Sequence, residues 1–118
     1  MEILVIREPI DPKTLQELAD AWHKVLVKGV ADIEQNVIAL GGEWHMDANN
    51  CLIAEGSRQE HLWGFNIYPD KTGADALEFI SLINIRPTAG NRSMEITDKG
   101  IRTAIRRAAT RVLPFLGL

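Results

Sequence analysis

The sequence predicts an α+β fold: a largely antiparallel sheet of five or six strands with an N-terminal and a C-terminal helix packed on it. Three observations carry this expectation. Apolar residues recur at helical spacing near the two ends, short β-branched and aromatic runs fill the middle, and those runs are joined by Gly, Pro and Asn turn signals of the kind found in hairpins and meanders.

Taken in order, Ile3–Ile6 reads as a short strand that stops at Glu8-Pro9. Asp11 can cap a helix that opens on Pro12, whose missing N–H would be unpaired in the first turn anyway, and Leu15, Leu18, Trp22 and Val25 form its apolar stripe. Gly29 is unfavourable inside a helix and Val30, Ile33, Val37 and Ile38 are β-branched, so residues 28–33 and the segment from Val37 are expected as a hairpin turning at Glu34-Gln35-Asn36. Gly41-Gly42 suggests a bulge or bend within a long strand, Asn49-Asn50 a tight turn, and Cys51–Ala54 the returning strand. Leu62–Tyr68 stops at Pro69, and Leu77–Ile85 is the longest clean run, stopping before Pro87. A loop with Gly90 follows. Thr97 then caps a last helix in which Ile101, Ile105, Ala108 and Val112 face the core, ending by Pro114. Residues 1–118 are expected to form one domain, without repeats or low-complexity tracts.

Composition narrows the class. With 46% hydrophobic and 25% charged residues the chain can bury a core and is not of the disordered type. The apolar opening is too short for a signal peptide and no run reaches membrane-spanning length, so a cytoplasmic protein without a membrane partner is expected. Cys51 stands alone, which excludes an intramolecular disulfide and cysteine-based zinc sites. The net charge of −3 hides an asymmetry: residues 1–85 hold six basic and fourteen acidic side chains, residues 86–118 seven basic and two acidic.

Three groups of residues could carry chemistry. In a strand through Gly42–Asp47, Glu43, His45 and Asp47 would share one face while Trp44 and Met46 point into the core. Such a row offers a histidine acid or base with carboxylates to orient it, or ligands for a divalent metal; a solvated face is the preferred alternative, and no metal is assigned. Asn66 with Tyr68 and Asn84 with Arg86 pair by the same period of two. Each asparagine interrupts an apolar run, where its amide either bonds within the protein, the favoured reading, or waits for a ligand. The loop Arg86-Pro87-Thr88-Ala89-Gly90-Asn91-Arg92-Ser93 has the makings of an anion cradle, since guanidinium forks match phosphate or carboxylate oxygens; an ordinary surface loop competes with it. The last helix sets Arg102 and Arg106, and Arg107 and Arg111, one turn apart, which could track nucleic-acid phosphates, although the acidic chain and the scarcity of aromatics rank that partner lower.

The segments Gly41-Gly42-Glu43-Trp44-His45-Met46-Asp47, Gly56-Ser57-Arg58-Gln59 with Leu62–Pro69, and Ile83–Pro87 with Gly90-Asn91-Arg92-Ser93 resemble a bacterial family described only as a domain of unknown function. The resemblance covers most of the chain and implies no reaction, substrate or cofactor. It also implies an acidic residue shortly after the His-x-Asp segment, where this chain has Asn49 and Asn50, which weakens a carboxylate-rich metal site there.

Three functions follow for comparison. The first is a module that binds a small anion through Asn66, Tyr68, Asn84, Arg86, Asn91, Arg92 and Ser93. The second is a phosphoester hydrolase with His45 as acid or base, Glu43 or Asp47 orienting it and arginines stabilising charge. The third is an interaction protein or homo-oligomer that sets the acidic body of one subunit against the basic helix of another. Binding or interaction ranks above catalysis, because no motif has a spacing that specifies a reaction.

Overall fold

The computed structural model describes residues 2–118. Five strands, β1 (Leu4–Ile6), β2 (Val27–Asp32), β3 (Val37–Leu40), β4 (Leu62–Ile67) and β5 (Leu77–Glu78), form one antiparallel sheet in the order β1-β3-β2-β4-β5. Three helices accompany it: α1 (Pro12–Ala21), α2 (His45–Ala54) and α3 (Lys99–Val112). The α+β class, the antiparallel sheet and the two terminal helices are as the sequence predicts, and α2 is an addition to them. Among the described residues no helix is long and apolar enough to cross a membrane.

Two buried clusters show how the layers stack. Leu15 and Leu18 of α1 and Ile105, Ala108 and Val112 of α3 pack with Val27, Ile38, Leu40, Phe65 and Ile67 on one side of the sheet. Ala48 and Leu52 of α2 pack with Val30, Val37, Ala39 and Leu62 on the other. The central strands are therefore covered on both faces, which is why they read as continuous apolar runs rather than alternating ones.

Local chemistry accounts for the terminal helices. Asp11 Oδ1 accepts the Thr14 N–H at 2.8 Å, and Asp98, one residue beyond the expected Thr97, accepts that of Ile101 at 2.9 Å. Because α1 ends at Ala21, Trp22 and Val25 leave the helical stripe and are exposed. Gly29 belongs to a strand for a packing reason: a Cβ there would sit 2.5 Å from the Phe65 ring and 2.8 Å from Leu40.

Two expected strands are overturned. Gly41 and Gly42 adopt φ of 115° and 93°, a region that side chains resist, and they turn the chain out of β3 into α2 instead of bending one long strand. Asn49, Asn50 and Cys51–Ala54 are accordingly helical. The run Leu77–Ile85 holds only two strand residues; Ser81 Oγ accepts the Ile83 N–H at 3.2 Å and starts a short 3-10 turn over Leu82–Asn84. Beyond β5, residues 79–81 instead meet 94–96, with the Ile96 N–H on Phe79 O at 3.0 Å and the Ser81 N–H on Met94 O at 3.1 Å.

Candidate functional site

Because β5 is short, most of one edge of β4 lacks a strand partner, and its polar groups must be satisfied some other way. Side chains do it. Asn84, fully buried, accepts the Gly64 N–H at 2.8 Å and donates to Gly64 O at 2.9 Å, so its amide imitates a neighbouring strand residue. Arg86 stacks 4.0 Å from the Trp63 ring centroid and donates to the carbonyls of Leu62, Gln59 and Ile83. Asn91 ties the next loop together, donating to Asn84 O at 2.8 Å while its Oδ1 accepts the Thr97 N–H at 3.1 Å.

The expected anion cradle thus loses its main donor to the backbone. Arg86 is engaged with three carbonyls, Ser93 Oγ donates to Glu95 O, and Arg92 is exposed in solvent. The basic helix is also partly committed: Arg102 bonds Glu95 and Ile96 O, and Arg111 donates to the carbonyls of Arg7 and Asn36.

His45 belongs to a different site, over the face of the sheet. Lys28, Asn66 and Glu78 are register partners across β2, β4 and β5, so their side chains form a polar row on one face. His45, the first residue of α2, reaches down to that row with Nε2 2.9 Å from both Phe65 O and Asn66 Oδ1. Asn66 Nδ2 donates to Glu78 Oε1 at 2.8 Å and Ile80 O at 3.2 Å, both acceptors, which leaves its Oδ1 toward the histidine. Tyr68 also donates to Glu78 Oε1, at 3.1 Å.

With acceptors on both sides, Nε2 carries the proton and neutral His45 keeps its lone pair on Nδ1. Burial pushes the imidazole pKa below its ordinary value and nearby Lys28 adds to the effect, against the hydrogen bonds to Phe65 and Asn66 that favour the cation. The ring is therefore neutral at pH 7. Among the described residues Nδ1 has no partner, yet no fully enclosed side-chain nitrogen or oxygen lacks one, so Nδ1 is open to solvent.

His45 lines a cleft of about 540 Å³ between the start of α2 and residues 80–83. Trp44, Met46, Leu82, Ile83 and Met94 make the apolar walls; Lys28, His45, Asn66 and Ser81 are the polar groups. Trp44 is 59% exposed, Leu82 67%, Met46 46% and Met94 42%, a concentration of large apolar side chains around one opening that a soluble surface rarely carries without use. The Lys28 ammonium lies 5.4 Å from the Trp44 ring centroid and makes no ion pair within the described residues.

The expected row of Glu43, His45 and Asp47 does not form. In a helix, residues two apart point to different sides, so His45 and Asp47 diverge. Asp47 Oδ2 instead accepts the Trp44 N–H at 3.0 Å and stabilises the start of α2, while Glu43 is exposed with its carbonyl 2.8 Å from His23 Nε2. Trp44 and Met46, expected in the core, are exposed instead. Among the described residues no three His, Cys, Asp or Glu side chains gather as a metal ion requires. Of the site residues that the sequence suggests, His45, Asn66 and Tyr68 join one network. Lys28 went unnoticed, although its place between Val27 and Gly29 in a buried strand is the same signal that drew attention to Asn66.

A family model matches residues 4–112. The chain belongs to DUF5674, described as proteins of unknown function. No curated protein and no solved structure matches it. The DUF5674 match runs from the start of β1 to the end of α3, so the cleft lies wholly within the family's domain.

Proposed function

We propose that this DUF5674 chain is a binding module for a small organic anion with an apolar body, taken up in the cleft beside α2. The observation that carries this reading is Lys28, a half-buried cation with no carboxylate partner in a cleft otherwise built of neutral and apolar groups. An unpaired ammonium at such a place gains most from an anion brought in by a ligand, because the apolar walls lower the local dielectric and strengthen the pair. The anionic-ligand reading of the sequence is kept, and its site moves from Arg86 and Arg92 to Lys28. The hydrolase alternative is weakened, since none of Glu43, Asp47 and the arginines lines the cleft with His45.

Calorimetric titration with 1-naphthoate and with neutral 1-naphthalenemethanol tests it. The carboxylate should bind roughly 10- to 100-fold more tightly, the range expected of one charge-assisted hydrogen bond of about 1.5–3 kcal/mol. Lys28→Met should erase that difference while leaving the fold intact. Absence of binding by either compound, or equal binding of naphthoate by the variant, would remove the proposal.

A further inference from the structure

We infer that the anion taken up in this cleft carries an O–H or N–H donor close to its charged group, as a 2-hydroxy acid or an N-acyl amino acid with an apolar side chain does. This rests on the reading of the cleft given above and adds the second point of recognition.

The argument starts from His45. It is 9% exposed and is one of the residues that line the cleft. Its Nε2–H is held between Phe65 O and Asn66 Oδ1, each at 2.9 Å, and the Asn66 amide cannot turn round without setting its N–H groups against the imidazole N–H and losing Glu78 and Ile80. The tautomer is therefore dictated by three elements at once: α2, β4 and the segment after β5. What His45 offers the cleft is an acceptor at Nδ1 and no donor. A ligand group that meets it must donate.

Lys28 offers the opposite, three N–H donors and no acceptor. The two anchors are close neighbours: Lys28 is the register partner of Asn66, and Asn66 is hydrogen-bonded to His45. A ligand that satisfies both presents an anion to Lys28 and a donor a few bonds away to Nδ1, with its apolar body against Trp44 and Met46. A free amino acid fits poorly, because its ammonium would meet Lys28 at close range.

Three compounds with the same charge and apolar body separate the possibilities: 3-phenylpropionate, 3-phenyllactate, which adds a hydroxyl, and 2-methoxy-3-phenylpropionate, whose ether oxygen can only accept. At pH 7.5 the wild-type protein should bind phenyllactate about tenfold more tightly than either of the others, as expected for one additional, well-aligned hydrogen bond. The preference should shrink on acidification as Nδ1 takes up a proton, and should vanish in His45→Leu, whose folding is checked by circular dichroism. The wild-type comparison decides even if that variant does not fold. Equal binding of all three acids, or a methoxy acid as good as the hydroxy acid, overturns the inference and leaves the cleft as a site for simple anions. Failure of all three to bind overturns the reading on which it rests.

Discussion

Trp44 and His45 stand side by side and answer to different forces. Read as strand residues, Trp44 belonged in the core, and its loss would have cost about 3–5 kcal/mol. As the residue just before α2 it is 59% exposed, so Trp44→Ala should change stability by less than about 1 kcal/mol in urea unfolding while weakening naphthoate binding. A loss above 3 kcal/mol would return it to the core. His45 is buried, and its depressed pKa makes stability depend on pH. The unfolded chain protonates this histidine near pH 6.5, whereas the folded chain resists protonation until the pH is lower. Its contribution is therefore whole above pH 6.5 and is lost as the pH falls through the folded value. Between pH 7.5 and pH 5 the wild type should lose more stability than His45→Leu; equal losses would show that the imidazole is not held neutral. At this scale the sequence identified Asn66 and Asn84 as unusual but could not assign their roles, because a polar residue in an apolar run looks the same whether it borders a cleft, as Asn66 does, or serves a backbone edge, as Asn84 does.

At the scale of elements, the turn at Gly41-Gly42 and the exit of the chain after β5 shape the site. Both glycines have positive φ, and a Cβ on Gly42 would lie 3.0 Å from the Cβ of Asp47, the residue that caps α2. Gly42→Ala should cost about 1–2 kcal/mol, measured by thermal or urea unfolding, and should weaken ligand binding by displacing the start of α2. Unchanged stability and affinity would mean that the turn tolerates a side chain. On the other side of the cleft, Asn84→Ala would leave the N–H and C=O of Gly64 without partners in a buried site and should cost more than about 2 kcal/mol. The sequence concealed α2 because only Ala48 and Leu52 join the apolar cluster while Met46 and Ile53 face solvent, so no clean stripe marks the helix. It suggested too long a fifth strand because Phe79–Ile85 is as apolar as a strand, yet its residues pack around a 3-10 turn and line a cleft.

Across the whole molecule, burial is deepest where the sheet is covered on both faces. β2 lies between β3 and β4 under all three helices, so its amides should exchange with solvent only through global unfolding, whereas residues 86–93 should exchange through local opening. Hydrogen exchange measured by NMR tests this ordering; equal protection in the two regions would contradict it. A bound anion should slow exchange at the start of α2 and in residues 80–83, the two walls of the cleft, and should slow β2 as well by the gain in global stability that binding brings.

The sequence by itself determined the α+β class, the hairpin of β2 and β3, the strand β4, the Asp11 cap of α1 and the core face of α3. Those depend on neighbours in the chain: a capping oxygen three residues from the amide it serves, a run of β-branched residues, a stripe at helical spacing. The tertiary structure alone decided that His45–Ala54 is a helix roofing the second face of the sheet, that Asn84 and Arg86 serve the edge of β4, and that Lys28, His45 and Asn66 meet. In each of these the partner lies twenty or more residues away, beyond the reach of local periodicity: Gly64 for Asn84, Leu62 for Arg86, Phe65 and Asn66 for His45.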